Sequence, residues 1–219
     1  VLDGYKVFME RFNITNNEMI DFGINETIFI PKDTVLDEWK MLKERVVAGN
    51  TKIFVRGYGR DAKGTQLYMD LYRELFGHDN FIKDPTNNAE PTKLLKALTG
   101  YSRQEKPTIK YKQIRNYQVS HIFGRTKNPF SFTAPWNIVY IPKIMDPFTG
   151  HESKGELTNA FQKKFLEKFY LYYQDYIEEF NELMYELKPE LTRYLLKNGD
   201  TFTDKFKEDA IQQFSPIVI

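Results

Sequence analysis

The chain has 219 residues, 41% of them hydrophobic and 28% charged, which fits one sizeable core or two small lobes and excludes a disordered chain. A formal net charge of +1 argues against coating nucleic acid by bulk charge, though not against an enzyme with its positive charge confined to one face. The absence of Cys removes disulfides, Cys nucleophiles and thiolate zinc sites together. With no long apolar run and no basic-then-apolar N-terminus, the expectation is a cytoplasmic protein without a membrane span.

Residues 1–32 mix short apolar runs with Asn and Asp, and Glu26 to Pro31 reads as a short strand ending at proline. Asp33 can cap a helix to about Ala48, with Val35, Leu36, Trp39, Leu42 and Val46 on one face and Gly49-Asn50 as its stop. Lys52 to Val55 reads as a strand leading into Arg56-Gly57-Tyr58-Gly59-Arg60-Asp61-Ala62-Lys63. A helix from about Thr65 ends at Gly77, and another begins after Asn87-Asn88, with Pro91 in its first turn, and stops near Gly100. Residues 101–113, with Lys106, Lys110 and Lys112, read as a polar linker. The division is therefore a mostly helical lobe over 1–105 and a second unit over 106–219.

From residue 114 the texture changes. Ile114 to Phe123 and Trp136 to Ile141 read as two short strands around a loop bearing Gly, Asn and Pro. A helical pattern then runs from about Glu156 to Leu187, with Pro189 beyond it and short helices at about 190–197 and 203–213. Its wide stripe of Phe161, Phe165, Phe169, Tyr176 and Phe180 reads as core, with a homodimer face as the alternative.

The informative segment runs from Tyr117 to Pro142. His121 closes the first strand, Asn137 opens the second sixteen residues later, and a helix follows. This order resembles the His-Asn-His (HNH) endonucleases of the ββα-metal superfamily, over residues 114–170, in the manner of a restriction-endonuclease-like member. The resemblance implies an α+β fold, mainly helical, with a ββα-metal nuclease element and a C-terminal helical bundle. It also implies Mg²⁺ or another divalent cation as cofactor, double-stranded DNA as partner, and a restriction or phage-defence role.

The chemistry suits these residues. Hydrolysing a phosphodiester needs a base to take a proton from water and a cation to neutralise charge on the phosphate. By the resemblance His121 would be the base, since an unperturbed imidazole changes its charge near neutral pH. Asn137 would hold the His-bearing loop or give an oxygen to the metal. The family's third position falls on Asp146, nine residues after Asn137, or on His151. Family members usually carry an acid just before the first histidine, and this chain has Ser120 in that metal-ligand place.

Arg125 and Lys127, in the loop after His121, read equally as phosphate contacts or as solvated loop charge. The loop carrying Arg56, Tyr58, Arg60 and Lys63 would follow a nucleic-acid backbone with Tyr58 stacked on a base, or would be a strand-to-helix connection lacking a P-loop ending. Glu38-Trp39-Lys40 matches part of another nuclease motif but lies on a helix pattern, where that chemistry has no partner acid. The alternatives to a nuclease are a non-catalytic nucleic-acid-binding module with a degenerate site, and a helical partner protein in which His121 and Asn137 satisfy buried hydrogen bonds.

Overall fold

A computed structural model describes residues 2–58, 61–104, 110–150 and 153–219, and its chain begins with two helices defined by their caps. In α1 (Gly4–Arg11) the Asp3 carboxylate accepts from the Tyr5 and Lys6 N–H groups. In α2 (Asn16–Asn25) Thr15 and Glu18 form a reciprocal capping box. These helices lie where the sequence shows only short apolar runs.

β1 (Ile28–Phe29) leads into α3 (Lys32–Ala48), which buries Val35, Trp39, Leu42 and Val46 and ends at Gly49 with φ of 57°. Asp33 lies in its first turn, and Pro31 occupies the cap position. β2 (Ile53–Val55) pairs in parallel with β3 (Phe81–Lys83), and α4 (Ala62–Phe76) connects them. α5 (Ala89–Thr99) starts where the buried Asp84 carboxylate accepts from the N–H groups of Thr86, Ala89 and Glu90. Three such bonds satisfy a charge that burial alone would penalise.

The expected linker over 101–113 is instead partly sheet. β4 (Tyr101–Ser102) and β5 (Lys112–Gln113) form a short parallel ladder, while residues 105–109, Lys106 included, lie outside the described residues. Backbone pairing holds this segment, so its polar composition carried no strand signal.

β6 (Tyr117–His121) and β7 (Ile138–Pro142) pair antiparallel, and with β1 they make a three-stranded sheet of order β1-β7-β6. Every residue of β7 is buried, as befits a central strand covered on both faces. A 3₁₀ helix (Lys143–Thr149) follows, then α6 (Glu156–Tyr172), α7 (Gln174–Lys197) and α8 (Asp204–Gln213).

The single long helix expected from Glu156 is broken at Tyr173. That residue is fully buried, and its hydroxyl donates to the Ile30 carbonyl at 2.6 Å, so the break is fastened to the segment between β1 and α3. α7 then runs through Pro189, which was expected to lie beyond the helix. Phe161, Phe165, Phe169, Tyr176 and Phe180 are buried within the chain itself, so this stripe is core.

Helices predominate around small sheets, an α+β arrangement. Residues from both sides of position 105 share one hydrophobic core: β1 pairs with β7, and Trp136 packs edge-on against Trp39 and Phe180. Among the described residues no helix is long and apolar enough to cross a membrane.

Candidate functional site

β6 forms an edge of the three-stranded sheet, and a cleft of about 690 Å³ opens along it. Its lining brings together Arg56, Ser120, His121, Arg125, Asp146 and Gln162. Arg56 is more than sixty residues from the others, and all of these except Gln162 were singled out from the sequence.

The loop between β6 and β7 is held from inside by amides. Asn137 is fully buried, and its Oδ1 accepts from the Phe123 N–H at 2.8 Å. Its Nδ2 donates to the Gly124 carbonyl at 2.9 Å, the Ser131 carbonyl at 3.1 Å and Ser131 Oγ at 2.8 Å. Both ends of this side chain are therefore used in tying the loop to the start of β7, and the backbone Ile122 N–H adds a bond to the Asn137 carbonyl at 2.8 Å. Asn128, also fully buried, braces the same loop, donating to the Gln213 carbonyl and accepting from the Phe130 N–H.

His121 takes its orientation from that loop. Its ring stacks on Phe132 with centroids 5.5 Å apart, and Nε2 lies 2.9 Å from the Phe132 carbonyl oxygen. A carbonyl can only accept, so Nε2 carries a hydrogen, and whenever the ring is neutral the lone pair is on Nδ1. The residue is half-buried and lines the cleft.

Electrostatics in the cleft favour an anion. Burial lowers the pKa of both Arg56 and Arg125 from the usual guanidinium value, and neither forms an ion pair among the described residues. Arg125, with a left-handed φ of 55°, donates from Nε and one terminal nitrogen to the Ser215 and Pro216 carbonyls, each at 3.4 Å. A guanidinium has five N–H donors, and these two bonds are those that Arg125 makes among the described residues. Asn88, at the cap of α5, also lines the cleft, with its Oδ1 buried and lacking a hydrogen-bond partner among the described residues.

Asp146 sits in the 3₁₀ helix, the carboxylate contributed by the described lining, while Ser120 is buried on β6. Among the described residues no group of three or more His, Cys, Asp or Glu converges to hold a metal. The donors present suit the mode in which one or two carboxylates hold Mg²⁺ and the substrate's phosphate oxygens and water complete its shell.

Other expected residues lie elsewhere. The Lys127 ammonium is engaged by Asp209 on α8, 2.9 and 2.8 Å from its two oxygens, and stands 4.5 Å from the Tyr58 ring centroid. Tyr58 stacks on Tyr68, whose hydroxyl also bonds Asp209. These four side chains thus bind α4, α8, the segment before α4 and the loop between β6 and β7 to one another. Lys63 is exposed in the first turn of α4. Arg60 and His151 lie outside the described residues.

Sequence reasoning missed Asn128, Ser131, Phe132, Asn88 and Gln162. Asn128-Pro129 was visible only as a turn signal, and Phe132 acts through a carbonyl that every residue possesses. Gln162 becomes visible only when α6 is laid across the cleft.

The family profile described as "Uncharacterised protein PM1201" matches residues 30–219. The chain belongs to that family. It is also 41% identical over 221 residues to the protein of that description from Pasteurella multocida (strain Pm70), covering 98% of this chain and 97% of the relative. The matched region thus contains the whole cleft, from Arg56 to Gln213. No solved structure matches the chain.

Proposed function

We propose that this protein is a metal-dependent endonuclease that hydrolyses phosphodiester bonds of DNA, in a restriction or phage-defence setting, with its site in the cleft along β6. The observation that carries the reading is the Asn137-clamped loop that holds the His121 ring at the wall of a cleft lined by two guanidiniums that form no ion pair among the described residues. The order of hairpin, His121, Asn137 and following helix supports the HNH resemblance.

In this account the His121 Nδ1 lone pair takes a proton from water. The water oxygen forms a bond to phosphorus, the bond to the leaving oxygen breaks, and that oxygen takes a proton from solvent. The Phe132 carbonyl, bonded to Nε2–H, stabilises the imidazolium so formed and keeps the ring in place. Arg56 and Arg125 orient the phosphate by charge-assisted hydrogen bonds. Asp146 would hold a divalent cation, which supplies charge neutralisation at the phosphate. Asn137 is a positioning residue, since its amide is wholly engaged in the loop.

Ser120 in the place of an acid favours the second reading, a nucleic-acid-binding module without cleavage. Incubating supercoiled plasmid with the wild-type protein and with His121→Ala, in Mg²⁺ and in EDTA, separates the two. Nicking in Mg²⁺ that EDTA and the substitution both abolish supports the nuclease. DNA binding by a wild type that never nicks supports the module.

A further inference from the structure

A second groove, of about 990 Å³, lies at the opposite end of β6. Lys93, Lys96, Arg103, Arg115 and Lys143 line it, and no carboxylate does among the described lining residues. Lys93 pairs with Glu90 one turn earlier on α5, while Lys96, Arg103, Arg115 and Lys143 form no ion pair among the described residues.

The groove's cations are also arranged rather than merely numerous. Arg103 lies over the Tyr140 ring at 5.8 Å and donates to Thr92 Oγ1 at 3.3 Å, while Lys96 stands 4.5 Å from the Tyr111 ring centroid. Arg115 and Lys143 are exposed and form no ion pair among the described residues. Tyr117 adds an aromatic wall.

Two elements run from this groove to the His121 cleft. α5 has its Asn88 cap in the cleft and its Thr92, Lys93 and Lys96 in the groove. Eight residues of helix span about 12 Å. β6 places Tyr117 in the groove and His121 in the cleft, four strand steps or about 13 Å apart. Alternation puts Tyr117, Val119 and His121 on one face of the hairpin, with Tyr140 opposite Val119. At about 3.4 Å per base pair, the separation equals roughly four base pairs of duplex.

We infer that the basic groove binds the sugar–phosphate backbone of the DNA duplex whose reacting phosphate lies at His121, about four base pairs from that phosphate. The choice of duplex rests on the nuclease reading; the groove's affinity for nucleic-acid backbone rests on its own charge and aromatic lining. Phosphate contacts of this type fix register and carry no sequence information, so the groove sets where the duplex lies and not which sequence is cut.

The test uses the full chain, a fluorescent 20-bp duplex and anisotropy in EDTA, so that cleavage plays no part. A triple charge reversal, Arg103→Glu/Arg115→Glu/Lys143→Glu, is compared with Lys164→Glu/Lys197→Glu/Lys205→Glu, which changes net charge equally at exposed sites elsewhere. The groove variant is expected to bind about tenfold or more weakly, with the slope of log K against log salt reduced by about 2.7 for three lost contacts. The control variant keeps wild-type affinity and slope. Equal binding by the groove variant, equal loss in the control, or no duplex binding by the wild type would each overturn the inference. Groove-dependent binding by a protein that never cleaves leaves the groove's affinity for the nucleic-acid backbone standing, while the nuclease reading and the spacing to a reacting phosphate fall with it. Cleavage by a protein indifferent to groove reversal does the opposite.

Discussion

Replacing Asn137 with alanine removes the clamp of the loop between β6 and β7, and its cost follows from the bonds that side chain makes. The Phe123 N–H is left as a buried donor without its acceptor, which costs about 1–3 kcal/mol. The Gly124 carbonyl keeps a second donor, Ser131 Oγ at 3.1 Å, so losing the Nδ2 bonds adds only about 0.5–1.5 kcal/mol. The sum is about 1.5–4.5 kcal/mol, read as a lower urea midpoint at unchanged m, with Tm falling by roughly 3–18 °C for a chain of this size. Asn137→Asp keeps an acceptor for Phe123 but sets an anionic oxygen against two carbonyls, and is expected to destabilise as much. Ser131→Ala combined with Asn137→Ala in a double-mutant cycle gives a coupling of about 0.5–3 kcal/mol. A stability for Asn137→Ala within about 0.5 kcal/mol of wild type, the usual scatter of surface changes, refutes the clamp.

Pro189→Ala restores a backbone donor inside α7 at an exposed position, and calorimetry should show a gain of about 1–3 kcal/mol; an unchanged or lower Tm shows that the helix has adapted fully to the proline. Lys127→Met leaves the Asp209 carboxylate without its ammonium at side chains 17% and 19% exposed, a loss of about 1–3 kcal/mol once partial solvent screening is allowed for. The same variant should bind duplex DNA as the wild type does, and weakened binding at full stability returns Lys127 to the role of a phosphate contact. Asp146→Asn should raise the Mg²⁺ concentration needed for half-maximal cleavage, and an unchanged Mg²⁺ dependence excludes Asp146 as a ligand.

Elements with strong local punctuation were legible in the sequence. Gly49, Gly77 and Gly100 stop α3, α4 and α5 in left-handed conformation where the reading expected them. The Thr15–Glu18 capping box was equally local and passed unread because the apolar pattern around it is weak. β3, β4 and β5 were invisible since two- and three-residue ladders owe their existence to partners distant in sequence. The break at Tyr173 follows the same rule, because the Ile30 carbonyl that receives its hydroxyl is 143 residues away. At the site, His121, Asn137 and the flanking arginines were readable as residue types at a spacing. The carbonyl of Phe132 and the bracing by Asn128 were not, because neither leaves a chemical mark on the sequence.

The most direct measurement is single-turnover cleavage of an end-labelled DNA duplex by wild type and His121→Ala, with the folded fraction of each fixed by circular dichroism and duplex affinity measured in EDTA. Loss of a general base predicts a rate about 10²–10⁴-fold lower in the variant at unchanged affinity. Cleavage by His121→Ala at the wild-type rate, or a wild type that binds duplex and never cuts it in Mg²⁺, contradicts the account.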